Sequence, residues 1–315
     1  MKVVFILPPD TGRDESLLSI EGWDVKVITS LSNLTDDLVD GLDVLVTTTY
    51  FPITRDTLER LKGIKLIQQV GVGVDSIDID AAREFGIPVA NVSRANSVAV
   101  AEYVIMAMIY VLRRVSEAVE LGRTCGIIGP VLVKKGCLEL SGKTLGIVGF
   151  GAIGYKVAVR AKALGMELLS CDVAEPSPQE KELGVRRVPL DSLLARSDVV
   201  TLHVPLTEET RNLIGKDELA RMKRGASLIN AARGGIVDEA ALAEALHSGH
   251  LGGAAVDVTV LEPTTPDNPL WTAPNCLLTP HIAGVSTESV NYMVQKSLQN
   301  CYRISVGQEP VDRVC

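Results

Sequence analysis

Residues 144–165 read TLGIVGFGAIGYKVAVRAKALG. An apolar run over 144–149 meets glycines spaced Gly149-x-Gly151-x-x-Gly154. Apolar residues then recur at Val157, Ala161 and Leu164, the spacing of one helix face. Strand, glycine turn and helix start form the context that a dinucleotide-phosphate fingerprint needs. Gly149 permits the tight turn, Gly151 admits a diphosphate, and Gly154 allows close helix–sheet packing. Backbone N–H groups near Ala152 and Ile153 then face an anion at the helix start. The next expected strand, 167–171, leads into Asp172, 18 residues past Gly154. A carboxylate there accepts the ribose hydroxyls and repels a 2′-phosphate. The nearest downstream arginines, Arg186 and Arg187, begin 14 residues further on, so NAD is expected over NADP.

Outward from this stretch, short apolar runs alternate with helical segments. One series of expected strands is 3–7, 25–28, 44–47, 66–70 and 88–90. A second is 144–149, 167–171, 198–203, 226–230, 253–257 and 276–279. Continuous rather than alternating apolar runs fit strands covered on both faces, hence parallel sheets with helices on either side. The expected fold is α/β, with two doubly wound parallel-sheet domains. Long helices are expected over 98–112 and 288–305, where the chain crosses between domains. The expected division is 1–96 plus 288–315 for one domain and 97–287 for the other. Helix 98–112 is expected to be buried on most sides, in a domain or subunit interface. Residues 122–142, with five glycines, read as an irregular connection or subunit arm.

The 315 residues carry a net charge of −8 and are 46% hydrophobic. With no block of like charges, nucleic acid and anionic membrane are not expected partners. The first apolar run is too short for a secretory signal and is cut by Pro8 and Pro9. The six cysteines, Cys125, Cys137, Cys171, Cys276, Cys301 and Cys315, form no CxxC pair and no Cys/His cluster. Reduced thiols, a cytoplasmic location and no metal follow as expectations.

Three chemistry-bearing residues fall near strand ends: Arg233 before Gly234 and Gly235, Glu262 in VLEP, and His281 in LTPHIAG. Strand C-termini are where open α/β sheets bind ligands. An arginine holds a carboxylate in a planar fork, and a histidine moves a proton near neutral pH. A neighbouring carboxylate would orient that histidine and raise its pKa. Each residue also has a plain reading: surface ion pair, loop residue and core histidine.

Their order together with the fingerprint resembles the D-isomer-specific 2-hydroxyacid dehydrogenase family. The carrying motifs are GVGVD (71–75), NSVAVAE (96–102), GFGAIG (149–154), LHVPLTEETRNLIG (202–215), NAARGGIVDEAAL (230–242), AAVDVTVLEP (254–263) and TPHIAG (279–284). The resemblance implies a flavodoxin-like substrate domain and a Rossmann NAD-binding domain flanking a cleft. It implies that Arg233 binds a 2-oxo acid, that His281 donates a proton to its carbonyl oxygen, and that Glu262 is the partner of His281. Backbone amides at Val72, Gly73 and Val74 would take the substrate carboxylate. His203, Val204, Pro205, Thr210, Ala231, Ala232, Arg233, His281 and Gly284 would line the cofactor, and Asp257 would hold its carboxamide. Asn96 is a weaker candidate near the cleft.

The implied activity is NAD-dependent reduction of a small 2-oxo acid to the D-2-hydroxy acid, or the reverse, in a homodimer. The chain departs from many relatives in lacking a tryptophan within 122–140 and in placing Thr259 where an aromatic residue is frequent. The side group of the acid is therefore left open. The absence of a regulatory domain after residue 315 weighs against a feedback-regulated enzyme. The rival class is an NAD(H)-sensing module of corepressor type. Formate oxidation is disfavoured, because that reaction needs no proton donor.

Overall fold

A computed structural model of the chain describes residues 1–9, 20–124, 126 and 128–315. The chain divides into two compact units, Met1–Asn96 with Ser286–Cys315, and Ser97–Val285. The return crossing falls at Ser286, two residues before the expected 288. Ser286 caps helix Thr287–Ser305 by accepting the N–H of Ser289, so the helix begins there.

The first unit holds a five-stranded sheet in the order β2-β1-β3-β4-β5. Its strands are β1 Lys2–Ile6, β2 Asp24–Ile28, β3 Val44–Thr47, β4 Leu66–Gln69 and β5 Val89–Ala90. Every pairing is parallel, and this strand order is the flavodoxin-like one. The inner strands β3 and β4 are buried throughout, as their unbroken apolar or uncharged sequences require. Each fully buried Val, Leu or Ile contributes about 1.5–3 kcal/mol. Helix Thr287–Ser305 lays Cys301 against Val3, Phe5 and Val46. Its Asn300 Nδ2 donates to Gln68 Oε1 (2.8 Å), satisfying an amide buried inside β4.

The second unit holds seven strands in the order β12-β11-β10-β9-β6-β7-β8, all parallel. They are β6 Thr144–Val148, β7 Glu167–Cys171, β8 Arg186–Arg187, β9 Val199–Leu202, β10 Ser227–Asn230, β11 Gly253–Val256 and β12 Cys276–Leu278. The order reverses between β6 and β9, the topological switch point of a Rossmann sheet. Alternate residues face opposite cores. Ile147 and Ala255 pack with helices Ser97–Leu112 and Ala152–Ala163, while Val148 and Val256 pack with Leu193, Leu219 and Leu242.

Helix Ser97–Leu112 buries one face (Val100, Ala101, Val104, Ala107, Met108 and Val111), but Val98, Met106 and Ile109 are exposed. Residues 122–142 are not irregular throughout. Helix Val115–Thr124 runs into them, and helix Gly129–Lys134 follows. Pro130 sits in the first turn of the latter, where its missing N–H costs nothing, and Gly136 turns the chain at φ 81° beyond its end. Cys125 lies outside the described residues.

Candidate active site

The glycine turn after β6 is shaped by close approach. A methyl group on Gly154 would collide with the carbonyl of Gly149, and one on Gly149 with the carbonyl of His203. A methyl on Gly151 would meet nothing, so the protein's own packing does not demand glycine there. Helix Ala152–Ala163 starts at Gly151 with no side-chain cap. The space beside Gly151 is thus open at the helix start that carries the amides of Ala152 and Ile153, where a diphosphate would bind.

Asp172 braces the same turn. Its Oδ2 accepts the N–H of Phe150 (2.5 Å) and its Oδ1 accepts that of Ala174 (2.8 Å). Arg187, distant in sequence, is brought beside this turn because β8 pairs Arg187 with Ser170 of β7. Its guanidinium is already engaged. Nη1 donates to the carbonyl of Ala174, while Nε (3.1 Å) and Nη2 (2.7 Å) grip Glu180. Burial pushes the Glu180 carboxyl up, but hydrogen bonds from Ser170, Ser177 and Arg187 outweigh it and hold the pKa down. The arginine drawn to the ribose end is thus neutralised, and the pattern fits NAD.

The loop after β9 carries His203, Val204, Pro205 and Thr210. Thr210 Oγ1 donates to the carbonyl of Pro205 (2.6 Å) and accepts from Thr207 N–H (2.7 Å), closing the loop on itself. His203 Nε2 lies 3.1 Å from Thr201 Oγ1, and its buried Nδ1 has no partner among the described residues. Burial pushes this imidazole down to about 3, so it stays neutral in working conditions.

Arg233, Glu262 and His281 follow β10, β11 and β12, which are neighbours in the sheet. Ala231 and Ala232 lead to Arg233, and Asn230 moulds this turn. Asn230 Nδ2 donates to the carbonyl of Arg233 (3.0 Å) and its Oδ1 accepts the N–H of Ala232 (3.1 Å). A methyl on Gly234 would strike the carbonyl of Thr259, which explains the glycine beside the arginine. His281 Nδ1 lies 2.7 Å from Glu262 Oε2. Their side chains are 38% and 35% exposed, so the pair remains accessible. Donating Nδ1–H to Glu262 raises the His281 pKa; burial opposes it, the charges of Glu262 and Asp257 assist, and Arg233 opposes.

Residues 105–283, more than half of the chain, match the family model of the D-isomer specific 2-hydroxyacid dehydrogenase, NAD binding domain. The chain belongs to the D-isomer specific 2-hydroxyacid dehydrogenase family. It is 40% identical over 290 residues to D-3-phosphoglycerate dehydrogenase of Archaeoglobus fulgidus, covering 91% of this chain and 54% of that protein. This chain therefore spans about half the length of that relative. It is 39% identical over 279 residues to glyoxylate reductase of Korarchaeum cryptofilum, covering 88% of this chain and 83% of that protein. The crystal structure of the TT0316 protein from Thermus thermophilus superposes with TM-score 0.87 at 37% identity, covering all of both chains. The seven-stranded unit is the family's NAD-binding domain.

In this family member, Asp257 is almost fully buried and its carboxylate is spoken for by the His281 loop. Oδ1 accepts Thr279 Oγ1–H (2.6 Å) and Ile282 N–H (2.8 Å), and Oδ2 accepts Ala283 N–H (2.7 Å). Tyr103 Oη lies 2.6 Å from Thr279 Oγ1, and burial pushes its phenol up to about 12. Gly284 follows in a turn closed by Val285 N–H to the carbonyl of Ile282 (2.9 Å). The roles of Asn230, Thr279 and Tyr103 were missed from sequence. A polar residue at the end of an apolar strand is a readable signal for buried Asn230 and half-buried Thr279, since such groups need partners. Tyr103, on a helix far away in sequence, gave none.

Val72, Gly73 and Val74 lie in the first unit, just past β4. Gly71 turns there at φ 136°, and Asn91 Nδ2 donates to the carbonyl of Val72 (2.6 Å). Asn96 ends that part of the unit, with its Oδ1 buried and unpaired among the described residues. Among the described residues no cluster of His, Cys, Asp or Glu could hold a metal, and no helix is long and apolar enough to cross a membrane. Burial pushes the Cys276 and Cys301 thiols up to about 12, so neither is a thiolate near neutral pH.

Proposed function

We propose that this chain is an NAD-dependent dehydrogenase that reduces a small 2-oxo acid to the D-2-hydroxy acid, or runs the reverse reaction. The observation that carries this reading is the 2.7 Å contact of His281 Nδ1 with Glu262, with Arg233 on the neighbouring strand end. NADH, when bound, supplies the hydride for the substrate's C2. His281, tied through Nδ1, offers Nε2 and its proton to the carbonyl oxygen as negative charge grows there. Glu262 keeps the imidazole oriented and charged. Arg233 holds the carboxylate by paired N–H bonds, which fixes the carbonyl against His281. Family resemblance assigns substrate contacts to the amides of Val72, Gly73 and Val74, and Asp257 is proposed to reach the carboxamide as well as bracing the loop.

The glyoxylate reductase match covers most of both chains, so short 2-oxo acids such as glyoxylate and hydroxypyruvate are the first substrates to try. A cytoplasmic homodimer belongs to the same reading. The exposed apolar face of helix Ser97–Leu112 is its proposed contact. Arg233→Lys tests the carboxylate role, because an ammonium cannot make the planar fork. Its kcat/KM for the acid should fall about thirtyfold to a hundredfold, the worth of one charge-assisted contact, with NADH affinity kept. An unchanged kcat/KM would remove Arg233 from the substrate site.

A further inference from the structure

We propose that Glu239 is a positioning residue for the Glu262–His281 pair, fastening the exposed loop that carries Glu262. Glu239 is the first residue of helix Glu239–His247, but capping falls to Asp238, which accepts the N–H of Ala241 (3.0 Å). The Glu239 carboxylate turns instead to the loop after β11. Oε1 accepts the N–H of Val260 and Oε2 accepts Asn268 Nδ2, both at 2.6 Å. These anchors lie on either side of Glu262 in sequence. The helix start favours a negative charge at this position.

The loop has little else to hold it. From Val260 to Asn268 no side chain among the described residues is buried, and Val260 and Leu261 are 61% and 63% exposed. Buried Thr259, just past β11, adds ties to the carbonyl of Leu261 (2.8 Å) and to Thr264 Oγ1 (2.9 Å), and Trp271 Nε1 donates to the carbonyl of Thr265 (3.0 Å). Glu262 has one further tether, a long 3.3 Å bond from Thr259 N–H to Oε1. Releasing Glu239 removes two 2.6 Å anchors and leaves Thr259 as the main tether, so Glu262 is held less firmly against His281.

The proposal rests on the reading of His281 as the proton donor, and its test separates the two. The groups around His281 are Glu262 on this loop, Asp257 at the end of β11, Arg233 after β10, and Tyr103, reached through Thr279. Glu239 is not among the charges acting on His281, so a Glu239 variant reaches it only through Glu262. Glu239→Gln keeps the shape but points one N–H at a donor. Asn268→Ala removes one anchor at a surface position and serves where Glu239→Gln misfolds.

The histidine ring signals are followed by NMR against pH, with His281→Ala for assignment and His250 as internal control. The His281 midpoint should drop by about half a unit or more in Glu239→Gln, and by less in Asn268→Ala. The basic limb of the kcat profile for 2-oxo acid reduction should move with it, while NADH affinity stays the same. A His281 midpoint unmoved in the folded variants overturns the proposal. If the midpoint moves but the unmodified protein reduces no 2-oxo acid, the functional reading falls and the role of Glu239 stands.

Discussion

His281 sits at a backbone φ of 54°, a left-handed conformation that costs a non-glycine residue about 1–2 kcal/mol. It is held there by its own N–H to the carbonyl of Asp257 (2.7 Å) and by the next two amides on the Asp257 carboxylate. Over-determination of this kind marks a residue whose direction matters. A raised His281 pKa sets the sign of the pH response. Reduction needs the protonated ring, so its kcat should be level at low pH and fall as pH rises through a midpoint above the ordinary 6.5; oxidation should do the opposite. Glu262→Gln removes the largest raising cause and leaves burial and Arg233, so the limb should slide to lower pH. A pH profile of both proteins checks this, and coincident limbs would contradict it. Arg233, Glu262 and His281 were legible in sequence because each is a costly residue type at a strand end. The brace from Tyr103 through Thr279 to Asp257 was not, because hydrogen bonds between residues 176 apart leave no local pattern.

At the scale of elements, strands written as continuous apolar runs were readable to within a residue or two. The β8 strand was not, since Arg186–Arg187 has no apolar period and forms only by pairing with the edge of β7. That omission hid the approach of Arg187 to the Asp172 turn. Helix Ser97–Leu112 is apolar apart from Ser97 and Glu102, which reads as burial in a domain or subunit interface, and Val98, Met106 and Ile109 are exposed in the single chain. They flank Glu102, which pairs with Arg160 (3.1 Å), and exposed apolar side chains grouped on one helix face point to a partner surface. Sedimentation should give a dimer mass for the native chain and a monomer mass for Ile109→Glu, whose buried charge would lack a partner. A native monomer would contradict the dimer reading.

At the scale of the whole molecule, topology does what spacing cannot. Arg233 and His281 are far apart in sequence, and only the order β12-β11-β10 sets their strand ends side by side. The glycine fingerprint announced the nucleotide unit, and the alternation of strands and helices announced both sheets. The strand order itself could be reached only through family resemblance. The proposed dehydrogenase activity rests on the same resemblance, and one measurement tests it most directly. NADH absorbance is followed with a panel of 2-oxo acids, with His281→Ala in parallel and its NADH affinity measured separately. Turnover is expected with at least one short acid, lowered about 10²–10⁴-fold in His281→Ala while NADH still binds. NADH binding without turnover of any acid, or near-normal turnover in His281→Ala, would contradict the proposed chemistry.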